Sequence, residues 1–406
     1  LYVAVSYAEE QPQREQSKTK VILLHTDNLT YDQYRHPGAQ ILTGNVQFQH
    51  DGVLMYCDSA CFYEATNSFD AFGHVKMVQG DTLDLVGDML LYNGLDQLAR
   101  VRHNVVLTHR ESKLYTDSLD YDRLYELGYF FEGGKLVDKD NVLTSDWGQY
   151  SPPTRQAVFN YNVKLENPKF TLISDTLNYN TLTSMAEIVG PSNIDSGDNH
   201  IYSESGFYNT QTEEAILLDR SIVTNKGRKM VGDSLYYDSK SGVGEGFRNV
   251  VYTDEVNKNM LTGNYCYYND STGYSMATDS AVAIDYSQRD TMYMHADTFK
   301  VYTFYMDTDS MYREVRGYHK VRSYRMDVQS VCDSLVFDSR DTCITMYRDP
   351  IVWNGGQQVL GEVIKVYLND STIDRIHVID QTLSVERIDS VHYNQVAGKE
   401  MTSYFR

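Results

Sequence analysis

Only 7 prolines and 5 cysteines occur in 406 residues, and 36 Lys plus Arg stand against 56 Asp plus Glu. Each scarcity excludes something. The net charge of −20 repels nucleic-acid phosphates, and no basic stripe or helix overcomes it, so no nucleic-acid partner is expected. The cysteines form neither a disulfide framework nor a zinc pattern. Cys57 and Cys61 share a strand, where four residues separate them by roughly 13 Å, too far to bridge. All five read as small buried apolar residues. Beyond the first few residues no apolar run approaches bilayer length. Sustained 3.6-residue apolar spacing is missing too, which excludes long amphipathic helices. No HExxH, GxSxG, Walker or dinucleotide fingerprint appears, and the 11 histidines are scattered. Neither a catalytic residue, a metal nor a cofactor is expected.

What is abundant is Tyr, 34 of them, together with Thr, Val and Ile, a composition suited to pleated sheet. One phrase recurs: "HTDNLTYDQ" at 25–33, "KLYTDSLDYDR" at 113–123, "LISDTLNYN" at 172–180, "MVGDSLYYDS" at 230–239 and "SVCDSLVFDS" at 330–339. Its acidic or amide marker falls at Asp27, Asp58, Asp88, Asp117, Asp146, Asp175, Glu204, Asp233, Asn264, Asp297, Asp333 and Glu362, most often 29 residues apart. Twelve units in phase make the chain a repeat array. A second phrase follows each marker: "GNVQF" at 44–48, "GHVKM" at 73–77, "HNVVL" at 103–107, "YNVKL" at 161–165 and "RNVVY" at 248–252.

Both phrases alternate, so each unit reads strand, turn, strand, turn. Residues two apart share a strand face. One apolar face therefore collects Leu29, Tyr31, Val46, Phe48, Val75, Met77, Leu90, Tyr92, Val105, Leu107, Leu119, Tyr121, Val163, Leu165, Leu177, Tyr179, Leu235, Tyr237, Leu335 and Phe337. A unit this short cannot bury that face alone and must stack on its neighbours. The marker acid has the same parity. Stacked carboxylates inside an apolar layer repel and are poorly solvated, so the acid belongs at a bend or mouth, its oxygens accepting local backbone N–H bonds.

"DSLDYD" followed by "GNVQF" resembles the OstA-like, LptA-type proteins of lipopolysaccharide transport, from about Val21 to Arg406. The resemblance implies an all-β fold, an elongated open β-jellyroll: a folded two-sheet slot of about twelve mainly antiparallel repeats. It implies a non-enzymatic carrier or bridge, periplasmic or outer-membrane associated. Such a carrier binds lipopolysaccharide, or another acylated glycolipid, by its acyl chains in the slot formed by the face named above, and passes it toward the outer membrane. Implied partners are inner- and outer-membrane transport components engaged through edge strands, and further copies joined head to tail. The alternatives are a parallel β-helix adhesin or polysaccharide-processing enzyme, or a purely structural periplasmic spacer. In domain terms, residues 1–8 ("LYVAVSYA") read as a signal-peptide remnant, 9–20 as a polar flexible segment, and 21–406 as one continuous β-repeat domain cut short in a thirteenth repeat.

Overall fold

A computed structural model describes residues 19–256, 258–287, 289–306, 308–369 and 372–404. The expected signal remnant lies outside the described residues. Strand dominates, no α-helix occurs among the described residues, and a 3-10 turn at Glu64–Thr66 is short. Antiparallel ladders connect the strands throughout both units, for example Leu83–Asn93 with Leu98–His109, and Val243–Asp254 with Asn259–Asn269. The all-β antiparallel jellyroll reading holds, and the parallel β-helix alternative is overturned. The chain divides into two compact units, 1–186 and 187–406.

In the first unit, strands of 11 or 12 residues such as Gln40–His50, Val53–Tyr63, Ser68–Gln79 and Leu83–Asn93 follow one another in hairpins. Each bends at its middle, where the register shifts, as between Val86 and Met89 or Arg102 and Val105. The extra residue of a bulge flips the alternation. In Leu83–Asn93 the buried positions are 83, 85 and 87 before the bend and 90 and 92 after it, with Asp88 exposed between them. The bend converts one strand into two half-strands lying in two facing layers. Phe48 from one layer stacks on Phe69 from the other at a centroid distance of 4.1 Å.

The bend also explains why the two recurring phrases coexist. The marker acid of one strand takes a hydrogen bond from the Asn or His that precedes Val in the paired strand. Asn45 donates to Asp27 at 3.0 Å, Asn104 to Asp88 at 2.6 Å, Asn162 to Asp146 at 2.7 Å and Asn249 to Asp233 at 2.8 Å. His74 Nδ1 and Asp58 are 2.7 Å apart. The acid is thus a corner residue, as expected, but its oxygens take side-chain amide and imidazole N–H groups rather than backbone ones. The donors sit at left-handed φ: Asn45 at 47°, His74 at 42°, Asn104 at 52°, Asn162 at 52°, Asn249 at 49°. Asn and His tolerate that region better than most side chains. Gly44, at φ +86°, is needed twice over: a Cβ there would stand 2.3 Å from Asp27 Oδ2.

The second unit repeats this plan with strands such as Val243–Asp254, Asn259–Asn269, Tyr274–Asp285, Met292–Phe304 and Tyr312–Tyr324, each bulged at its middle. Its core holds Val250, Cys266, Ala277, Ala281, Ala296, Phe299 and Leu335.

Candidate functional site

The interior between the two layers of each unit is built by successive repeats together, and it is organised in rows running across the strands. In the first unit one register line passes through Phe48, Met55, Met77, Leu85, Leu107, Leu114, Leu136, Leu143, Leu165 and Leu172. None of the ten is more than 2% exposed. Val46, Val75, Val105 and Val163 beside the bend, and Leu90, Leu119 and Leu177 opposite, are equally buried. Each fully buried side chain of this kind stabilises the fold by about 1.5–3 kcal/mol, so the row is a core. Leu29 and Tyr31 depart from the expected lining: they are 43% and 67% exposed. They lie on the short strand Asn28–Tyr31, which pairs with Gln40–His50.

A second row carries the tyrosines. It runs Tyr92, Ala99, Tyr121, Gly128, Tyr150, Ala157, Tyr179, alternating a large ring with a residue too small to obstruct it. The small partners recur at 99, 128, 157, 186, 215 and 244, a strict 29-residue column of Ala and Gly that was available in the sequence and overlooked. In the second unit the row continues as Tyr208, Ala215, Tyr237, Gly244, Tyr268 and then Ser275, Val301, Val315 and Phe337. At Gly244 the Tyr268 ring lies so close that a Cβ would meet its Cε1 at 2.0 Å.

The phenols of the first unit reach the mouth, where the turns of the two layers meet. Tyr92 Oη lies 2.7 Å from His50 Nδ1 and accepts from Arg123. Tyr150 Oη lies 2.8 Å from His109 Nδ1. Tyr179 donates to Asp138 at 2.8 Å and accepts from Asn141 at 2.9 Å. Each bond joins opposite rims, so together they latch the mouth. Tyr121 breaks the series: its hydroxyl is buried with no hydrogen-bond partner, as is Gln79 Oε1 on the facing rim. Gln79 Nε2 binds Glu126 instead. Burial pulls the pKa of both latch histidines down; Asp51 opposes and Arg123 reinforces this at His50, while Arg155 and Arg110 reinforce it at His109. Both imidazoles are held neutral.

The second unit differs at the same register. Its counterpart to the ten-residue row runs from Ile201 through Val223, Met230, Tyr252, Leu261, Ala283, Met294 and Ser323 to Ser330, Val352 and Val359. The middle stretch from Val223 to Ser323 keeps some exposure, while Ile201, Ser330, Val352 and Val359 are buried. Leu235 and Leu335 are buried, while Tyr237 and Phe337 are half-buried. Small inward residues, Gly246, Gly263, Ala277, Ala281, Ala296 and Gly317, alternate nearby with Val250, Cys266, Phe299 and Leu335. Rim side chains here bond along their own rim. Lys240 Nζ donates to the Gln211 carbonyl at 2.9 Å, and Arg228 Nε stands 3.3 Å from Asp254.

Nothing in either interior resembles a reaction centre. Among the described residues no group of three or more His, Cys, Asp or Glu could hold a metal. The five cysteines are free and buried. Burial pushes the thiols of Cys57 and Cys332 up to about 12 and that of Cys266 up to about 11, far from the thiolate range a nucleophile needs.

No curated protein matches this sequence. The family model described as OstA-like protein matches residues 18–175 and 171–233, which together cover just over half of the chain. The chain therefore belongs to the OstA-like protein family, a family of periplasmic, non-enzymatic proteins of lipopolysaccharide-transport type.

Proposed function

We propose that the interior of the second unit is an acyl-chain slot, and that the protein is a periplasmic carrier that holds the lipid A acyl chains of lipopolysaccharide and passes the lipid toward the outer membrane. The observation that carries this reading is the residual exposure of Met230, Leu261, Ala283 and Met294 at a register where the first unit is sealed. Each methylene entering such a slot contributes about 0.8 kcal/mol without a directional bond, so a guest is held firmly in sum yet slides. Methionines suit this role because the flexible thioether adapts to chains of different shape.

In the first unit the lining named in the sequence takes a guest only once the His50–Tyr92, His109–Tyr150 and Asp138–Tyr179 bonds part. Until then that unit acts as a rigid spacer. Inner- and outer-membrane transport components, or a second copy joined head to tail, engage through terminal strands.

The test is to fill the slot. Ala283→Trp is expected to lower retention of a radiolabelled acylated glycolipid at least tenfold with little change in melting temperature. Undiminished retention would leave only the spacer reading.

A further inference from the structure

A second feature of the first unit is unrelated to its apolar interior. Four turns meet at one stretch of rim and enclose a cavity of about 300 Å³. The turn after Leu98–His109 supplies Arg110 and Glu111, the turn after Gly134–Asp138 supplies Lys139, Arg155 precedes Gln156–Asn167, and Thr181 follows Phe170–Asn180. Three cations therefore converge in a chain whose net charge is −20.

Their partners are few. Some basic side chains of the unit are ion-paired, as in Arg102 with Asp120 at 2.7 Å and Lys76 with Asp84 at 3.4 Å. Among the described residues neither Arg110 nor Arg155 makes an ion pair, and Lys139 Nζ donates only to the Ser184 hydroxyl, at 3.1 Å. Both guanidiniums act on the same buried His109–Tyr150 pair at the cavity floor. Two carboxylates also line the cavity. Asp138 is buried, with one oxygen accepting from Ser112 at 2.7 Å and the other from Tyr179 at 2.8 Å. Glu111 is exposed and can turn out to solvent. Three cations against Asp138 alone leave two positive charges.

We propose that this rim cavity binds a phosphomonoester. Such a group carries close to two negative charges at neutral pH and three acceptor oxygens, which matches two guanidinium forks and an ammonium. A carboxylate offers half the charge and one oxygen fewer. The site stands apart from the acyl slot and does not rest on it: it recognises a charged head, whether borne by a lipid or by a free sugar phosphate.

The experiment uses the full chain and two pairs of probes at physiological salt. Glucose 1-phosphate against glucose tests the free anion, by calorimetry. Phosphatidylcholine vesicles doped with phosphatidic acid, against vesicles doped with diacylglycerol, test the lipid-borne group. The expected result is saturable binding of at least one phosphorylated probe and of neither uncharged one; which probe binds tells the source. Arg110→Gln with Arg155→Gln is expected to weaken that binding at least tenfold, and Glu111→Gln to strengthen it severalfold. The second variant removes an exposed charge and keeps the test open should the double variant fold poorly. Failure of both phosphorylated probes, or wild-type affinity in Glu111→Gln and in a folded double variant, would overturn the proposal.

Discussion

The two units place the same kind of residue at the same register, sealed in the first and partly exposed over the middle of the second. Met77 in the first unit is fully buried, between Met55 and Leu85 on one row. Met294 in the second occupies the equivalent position beside Ala283 and stays half-buried. The difference lies in what surrounds each. The first unit sets large residues along the row and aromatic rings such as Phe48, Phe62, Phe69 and Tyr92 opposite, and latches the rims through its phenols. The second has Gly246, Gly263, Ala277, Ala281 and Ala296 among its inward positions, interleaved with Cys266 and Phe299. An apolar face is therefore sealed where its partners meet it and keeps exposure where they stop short. Binary pattern alone does not distinguish the two.

The comparison can be broken first by truncation. Leu107→Ala, in the sealed row, is expected to cost about 2–5 kcal/mol, because the cavity it leaves cannot collapse. Leu261→Ala, in the open row, should cost under about half of that, since less packing is lost. Urea unfolding of both variants checks this, with two transitions allowed for. Equal costs would erase the distinction between the units.

The latch sharpens it next. Tyr179→Phe removes the donor to buried Asp138 Oδ2 and is expected to cost about 1–3 kcal/mol. Tyr121→Phe removes a hydroxyl that already lacks a partner, and should be neutral or slightly stabilising. Thermal melting of the pair reads the contrast, and a comparable loss in Tyr121→Phe would contradict it.

The smallest expected effect is in pH. His50 and His109 have native pKa values below the ordinary ~6.5 of an imidazole, so below that pH the unfolded chain binds protons that the folded one refuses. Stability contributed by neutral histidine is present above ~6.5 and is lost as pH falls from there through the native values. The first unit should lose stability over that window, and His109→Gln should flatten the slope. An unchanged slope would show that the latch histidines do not set it.

Much of this was legible. The 29-residue period, the parity of Leu and Tyr and the turn-forming Asp or Asn after Tyr led to antiparallel stacked hairpins before any coordinates. The acid was placed at a bend, yet its Asn or His partner was not recognised, because the pairing depends on a bulge that brings residues 16 apart side by side. The Ala and Gly column opposite the tyrosines was readable at fixed spacing and went unread. Exposure of Leu29 and Tyr31 follows from their place on a short flanking strand, which periodicity does not report. Arg110 and Lys139 stand 29 residues apart, at the same turn position of successive units, so their proximity was readable. That Arg155 joins them from the other rim was not, because it depends on how the two layers face.

Site-specific photocrosslinking tests the central contrast most directly. A benzoylphenylalanine at position 261 or at position 107 of the full chain, irradiated with lipopolysaccharide bound, should give adducts from the former and none from the latter. Adducts from position 107 alone, or from neither position while the lipid remains bound, would contradict an open interior in the second unit and a sealed one in the first.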